Sequence, residues 1–424
     1  MAPPAPNEAR PSTRGRDPHP ARHPQIVFVN RFYWPDQSAT SQLLTDLAEA
    51  LAARGHAVAI VCSRQLYGDP ATRLASEERI GGVRIHRVAT TRFGRDRLVG
   101  RAIDYASFYV SCAAALFTRL GAGDVLIAMT DPPLLSILAA PIARRKRASL
   151  VNWLQDVFPE VASHLGANPL PLPLDGWLRR RRDASLRAAR INVIIGRRMR
   201  ELLVGRGIAP EKLVVIDNWA DADIAPKPTA ESALREREGL RDRFVVAYSG
   251  NLGRAHEYET LIGAAERLAA DPAYAFLMIG GGAKMGPLGA EVVARGLMNF
   301  RFLPYQPRTE LGDSLAAADV HLVSLIPALE GLIVPSKLYG ILAAGRPTVF
   351  VGDPEGEIAR IVRDADCGVA VGVGDADGLA AVLEGLRKDP ARCAAMGGRA
   401  RAAYEENYSR EAAVGRWEAV LGDL

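Results

Sequence analysis

The sequence predicts an α/β protein made of two doubly wound, parallel-sheet domains of Rossmann-like form facing a central cleft. Three observations carry that expectation. Short apolar runs rich in Val and Ile alternate with longer amphipathic stretches, the pattern of βα units feeding a parallel sheet. The alternation breaks at "ADADIAPKPTAESALR" (220–235) and then restarts. The 424 residues, 48% hydrophobic and 24% charged, suffice for two domains that each bury a core.

Taken in order, "QIVFVN" (25–30) is a buried strand and "SATSQLLTDLAEALAARGH" (38–56) an amphipathic helix, with Ser38 or Thr40 as N-cap and Gly55 as C-cap. Strands follow at "AVAIVCS", "VRIHRVA", "DVLIAMT", "SLVNWLQ" and "INVIIG", and "KLVVIDN" closes the first half. After the break come "FVVAYSG", a helix to about residue 270, "AFLMIGGG", "FRFLPY", "DVHLVSLI", the segment 329–350 and "GVAVGV". The implied boundaries are a disordered tail over 1–23, a first domain over 24–222, a second over 223–404 and a terminal helix over 405–424. That helix, "SREAAVGRWEAVL", can pack on either domain.

Composition narrows the function classes. The four cysteines (Cys62, Cys112, Cys367 and Cys393) form no CxxC pair and read as small buried hydrophobes, in keeping with a reducing cytosol. The tail has no apolar signal region, and no run of 18 apolar residues occurs, so the expectation is a soluble or membrane-peripheral protein. The formal net charge of +5 is unevenly spread, with basic runs at 143–147 and Arg179–Arg182. These are either a solvated helix face or a face for anionic lipid headgroups. Nucleic acid is disfavoured, because no aromatic residues interleave with the charge. Three Asp-Ala-Asp triplets lie in turns or helix starts, where Asp is common, so no metal site is expected.

Several strand-to-helix turns carry groups able to do chemistry. In "FVVAYSGNLGRAHE" (244–257), Ser249, Gly250 and Asn251 open a glycine turn in which backbone amides can approach a ligand closely, and Arg254 adds a cation suited to phosphate. In "AFLMIGGGAKMG" (275–286), Gly281 lies within three consecutive glycines, and Lys284 is a phosphate contact or a solvated loop lysine. In "LEGLIVPSKLYGILAAGRPTVF" (329–350), the helix ends regularly with Gly345 and Pro347 but begins oddly at Pro335, Ser336 and Lys337. A cation in the first turn opposes the helix dipole unless an anion lies between them, and Glu330 stands in an otherwise apolar loop just before it. In the first half, Ser38 and Thr40 face the cleft. Asp156 follows the strand of "NWLQDVFPEVASHLG" as a candidate for acid–base work, while Glu160 and His164 read as helix-surface and capping residues.

Five segments in order, "FYWPDQSATSQLLTDLAEALAARGHAV", "NWLQDVFPEVASHLG", "VVIDNWADAD", "YSGNLGRAHEYETLI" and "VPSKLYGILAAGRPTV", resemble retaining glycosyltransferases of family 4, of GT-B architecture. The resemblance runs from about residue 25 to 420 and is strongest to bacterial O-antigen and colanic-acid polysaccharide enzymes. It implies a nucleotide-diphosphate-sugar donor, UDP- or GDP-linked, held mainly by the second domain, and a saccharide or polyprenyl-diphosphate-linked acceptor held by the first. No metal or other cofactor is implied. The implied location is the cytoplasm, peripheral on the inner membrane. Where similar chains carry Arg and Lys for the diphosphate, this chain has Asn251 and His256, so Arg254 and Lys337 become the candidate cations. Similar chains also keep two glutamates eight apart. Glu330 matches the first; counted back from "AAG", the second falls at Gly340, ten residues on rather than eight, which has no side chain for a ribose. The resemblance thus implies that Glu330 and Asp156 stabilise an oxocarbenium-like sugar and orient the acceptor. An epimerase of the same fold and a non-catalytic nucleotide-sugar-binding subunit remain open alternatives at this point.

Overall fold

The computed structural model describes residues 24–69, 71–93, 98–166 and 171–424. The tail expected over 1–23 lies outside the described residues. The first sheet contains β1 (Ile26–Val29), β2 (Val58–Ser63), β3 (Glu77–Ile80), β4 (Val83–Val88), β5 (Val125–Ala128), β6 (Ser149–Trp153), β7 (Ile191–Ile194) and β8 (Leu213–Val215). Its order is β3-β4-β2-β1-β5-β6-β7-β8, parallel except where β3 pairs antiparallel with β4 at the edge. The second sheet contains β9 (Phe244–Asn251), β10 (Tyr274–Gly281), β11 (Phe300–Leu303), β12 (Val320–Ser324), β13 (Thr348–Gly352) and β14 (Gly368–Gly372). Its order, β11-β10-β9-β12-β13-β14, is parallel throughout. Helices on both faces cover these sheets, which is why the central strands read as unbroken apolar runs.

The first helix, Ala39–Ala53, shows how pattern becomes packing. Leu43, Leu44, Leu47, Ala48 and Leu51 recur at three- and four-residue spacing and are all buried. Gly55, with φ of +93°, follows its end. Ser38 occupies the N-cap position but makes no side-chain cap bond, so neither Ser38 nor Thr40 performs the capping expected of them.

The last helix, Arg410–Gly422, packs on the first sheet. Trp417 is fully buried, with its ring 5.0 Å from Trp153, which itself stacks 5.9 Å from Trp219. Arg410 donates to the Asp46 carbonyl at 3.0 Å, and Arg54 pairs with Glu418 at 2.6 Å. A second element joins the halves. The loop after β12 enters a shared core in which Leu154, Val157 and Met199 meet Leu329, Leu332 and Ile358. The Val157 N–H donates to the Leu332 carbonyl at 3.0 Å, a main-chain bond across the interface.

Candidate active site

The carboxyl ends of the second sheet's strands bring three turns together. The β9–β10 register pairs Gly250 with Gly280 and Asn251 with Gly281, so the two glycine turns lie side by side. Gly280 and Gly282 have φ of +122° and +121°, and a side chain at Gly282 would collide with the Leu252 carbonyl. Only glycine meets both demands. Leu252 N–H donates to the Gly281 carbonyl at 2.7 Å and locks one turn to the other.

Lys337 opens the helix Lys337–Ala343 and reaches into the first of these turns. Its Nζ donates to Tyr248 Oη, lies 3.3 Å from both the Asn251 carbonyl and His256 Nε2, and stands 4.0 Å from the Tyr248 ring centroid. His256 Nδ1 is 2.5 Å from the Ser324 carbonyl, which makes Nδ1 the protonated nitrogen and leaves Nε2 to accept from Lys337. Burial pushes the His256 pKa down to about 3, with help from Lys337 and Lys284, so the ring is neutral. Burial also pulls the Lys337 pKa well below its usual value. Among the described residues Lys337 has no carboxylate partner, so a bound anion would favour its charged form. Lys284 donates to the His256 carbonyl at 2.6 Å, so it is a strut of the turn rather than a solvated loop lysine. Arg254 is exposed on the same turn, and Ser336 is exposed beside the buried Pro335.

Glu330 follows the short 3-10 turn Pro327–Leu329, where the second domain meets the first. Its Oε2 accepts the Glu357 N–H at 3.1 Å, and its Oε1 is buried without a hydrogen-bond partner. Burial, with the Asp353 and Glu357 charges, raises its pKa to about 7, against the Glu357 N–H and Arg198. Asp156 lies just past β6, half-buried, and its pKa is also pushed up to about 7, by burial and by Asp131. It lines a cavity of about 20 Å³ with Thr130, Ser136, Asn152 and Arg182, room for a single water. No hydrogen bond or ion pair joins Asp156 to Glu330 or Lys337 among the described residues. Asp156 precedes Val157, however, and Glu330 lies two residues before Leu332, so both flank the one interdomain main-chain bond described above. Ser38 and Thr40 stay on the first domain, half-buried, and Ser38 Oγ has no hydrogen-bond partner.

Two expectations are corrected. Glu160 is not a surface residue: it is 2% exposed and caged by Arg182 at 2.8 Å, Arg179 at 3.1 Å and Arg206. Burial raises its pKa, but the Arg182 and Arg206 contacts outweigh it and leave the carboxyl below its usual value. The run Arg179–Arg182 is therefore not one solvated face. Two of its members serve Glu160, and only Arg180 and Arg181 are exposed. His164 is exposed, as expected of a helix-surface residue. Sequence reasoning missed Tyr248, which reads as one more core aromatic in β9, and Glu357, which reads as an ordinary acid in a first helical turn.

A pair of doubly wound sheets with glycine turns and a lysine at their strand ends defines a two-domain α/β protein suited to a phosphate-bearing ligand. Residues 39–219 match the Glycosyl transferase 4-like domain, and residues 231–403 match Glycosyl transferases group 1. The chain belongs to the family 4, group 1 glycosyltransferases of GT-B fold. It is 28% identical over 335 residues to the probable glycosyltransferase WbjE of Pseudomonas aeruginosa, covering 78% of this chain and 83% of that one. It is 27% identical over 390 residues to the putative colanic acid biosynthesis glycosyl transferase WcaI of Escherichia coli K12, covering 86% and 91%. Among solved structures, Anabaena Alr3699/HepE in complex with UDP-glucose superposes with a TM-score of 0.70 at 16% identity, covering 95% of this chain and all of that one. Family membership sets the epimerase and the non-catalytic subunit aside.

Proposed function

We propose that this enzyme transfers a sugar, with retention of configuration, from a nucleoside-diphosphate sugar to a polyprenyl-diphosphate-linked glycan in cell-surface polysaccharide biosynthesis. The observation that carries this reading is Lys337, seated against the glycine turn after β9 with no carboxylate partner among the described residues. A UDP or GDP diphosphate supplies the anion. The turn amides, Lys337 and the nearby Arg254 then stabilise the charge that builds as the glycosidic bond to phosphate breaks. Glu330 faces the positive charge that develops on the ring, and Asp156 orients the acceptor hydroxyl. The names of WbjE and WcaI favour polysaccharide assembly, and the UDP-glucose complex of HepE favours a UDP-linked donor.

A lipid-linked acceptor is favoured by the first domain's surface. Among the described residues, no helix is long and apolar enough to cross a membrane. The helix Leu98–Arg119 nevertheless turns Val99, Val110 and Phe117 outward along one side, 72%, 72% and 45% exposed. Phe117, Leu138, Pro141 and Ile142 line an apolar groove between it and the helix Leu135–Lys146. Arg144, Arg145 and Arg147 are exposed at that second helix's end, and Lys146 lies 4.4 Å from the Phe117 ring centroid. Apolar groove and basic rim together suit a bilayer with anionic headgroups.

The deciding experiment follows labelled sugar from a panel of UDP- and GDP-sugars into a polyprenyl-diphosphate glycan. Glu330→Ala and Lys337→Ala are each expected to lower the rate by on the order of 10²-fold. Transfer that survives both substitutions would place the site elsewhere.

A further inference from the structure

Glu357 is buried at 2% exposure and has two jobs. Its own N–H, the first of the helix Glu357–Asp364, is capped by Glu330 Oε2 at 3.1 Å. Its carboxylate crosses the interface, where Oε2 accepts the Arg198 N–H at 2.8 Å in the first turn of the helix Arg197–Gly205. That helix has no side-chain cap from its own N-cap residue, Gly196, so its cap comes from the other domain. Oε1 is held by Arg360.

The surrounding glycines fit this arrangement. A side chain at Gly356 would collide with the Glu330 carboxylate, and one at Gly196 would meet Glu357 Cδ at 2.8 Å. Gly331, beside Glu330, has φ of +73° and packs on the Arg198 carbonyl. Two caps thus stand in series, Glu330 on one helix and Glu357 on the next, and the second link exists only when the domains touch.

We propose that Glu357 is a positioning residue for transfer, one that ties Glu330 to the first domain and so makes its placement depend on closure of the cleft. The proposal rests on the reading of Glu330 as the carboxylate beside the donor sugar. Opening the interface releases Glu357 from Arg198 and loosens the loop that carries Glu330. Closing it restores both caps. A misplacement of about 1 Å at a reacting group costs on the order of 10²-fold in rate.

The charged groups facing Glu330 are Glu357 and Asp353 from its own domain and Arg198 from the other. Those facing Glu357 include Arg360, together with Asp217, whose pKa is raised to about 6 by burial and the Glu357 charge against Arg416 and Arg360. Removing the Glu357 charge therefore eases ionisation of Glu330.

The test compares Glu357→Ala, Glu357→Gln, Gly196→Ala and Glu330→Gln in the full chain, with folding checked by thermal melts. Glu357→Ala and Gly196→Ala are expected to lower kcat by on the order of 10²-fold with donor KM near wild type. Glu357→Gln keeps an acceptor for the Arg198 N–H, so it retains more activity, and the acid limb of its pH–rate profile moves to lower pH. Folded variants with wild-type kcat, or an unmoved limb in Glu357→Gln, overturn the proposal; the glutamine variant decides if the alanine variant does not fold. A wild-type rate in Glu330→Gln instead overturns the underlying reading of Glu330.

Discussion

At the residue scale, the site is a set of groups kept from their preferred charge. Asp156 is the clearest case, because its carboxyl is held near pKa 7 with no cationic partner among the causes of its shift. Its folded-state pKa lies above its unfolded value. Its stabilising contribution is therefore fully present below the unfolded pKa and is lost as pH rises through about 7. Asp156→Asn removes that dependence. Denaturant melts should show the variant gaining on wild type between pH 5 and pH 8, by on the order of 1 kcal/mol after allowance for solvent at this half-buried position. A constant difference across that range would mean the carboxylate is compensated. Glu330 and Lys337 were legible in the sequence because each breaks a local rule, an acid in an apolar loop and a base in a first helical turn. Glu357 breaks none. An acid that starts a helix complements the dipole, and nothing local says that its carboxylate serves a different helix.

At the element scale, the helix Lys337–Ala343 spans seven residues and holds a glycine in its interior. A Cβ at Gly340 would lie 3.7 Å from Leu315 Cδ1 and 4.0 Å from Ile224 Cδ1, ordinary van der Waals contacts. Steric need therefore does not explain this glycine, and Gly340→Ala should stabilise the fold by about 0.5–1 kcal/mol through lower unfolded-state entropy. A rise in thermal midpoint checks it; a fall would show that the backbone there needs glycine. Most strands were legible for the reason given by their burial: Ile26–Val29 and Val58–Ser63 are apolar on both faces. The strand Glu77–Ile80 was not, since an exposed edge strand reading Glu-Glu-Arg-Ile has no apolar face to announce it. The cage around Glu160 was illegible too, because Arg206 and the Arg179–Arg182 run meet it only through the fold.

At the scale of the whole molecule, the outward apolar side of Leu98–Arg119 and its basic neighbours form the surface that the proposed contact with a bilayer would use. Co-sedimentation with vesicles containing anionic phospholipid should exceed that with neutral vesicles and weaken with salt. Val110→Asp combined with Phe117→Asp should abolish it while leaving transfer to a short, soluble acceptor unchanged. Equal sedimentation of variant and wild type would assign the groove to some other partner.

Trp417 carries a different consequence. A ribosome delivers the chain from one end, and residues 24–219 are complete long before residue 417 is made. The space beside Trp153 that Trp417 fills stays open throughout that interval. The first domain can collapse early, but it cannot finish folding until the second has been synthesised. The first domain's core is thus completed by the chain's last helix, and a fragment ending before that helix would carry an unfilled face at Trp153.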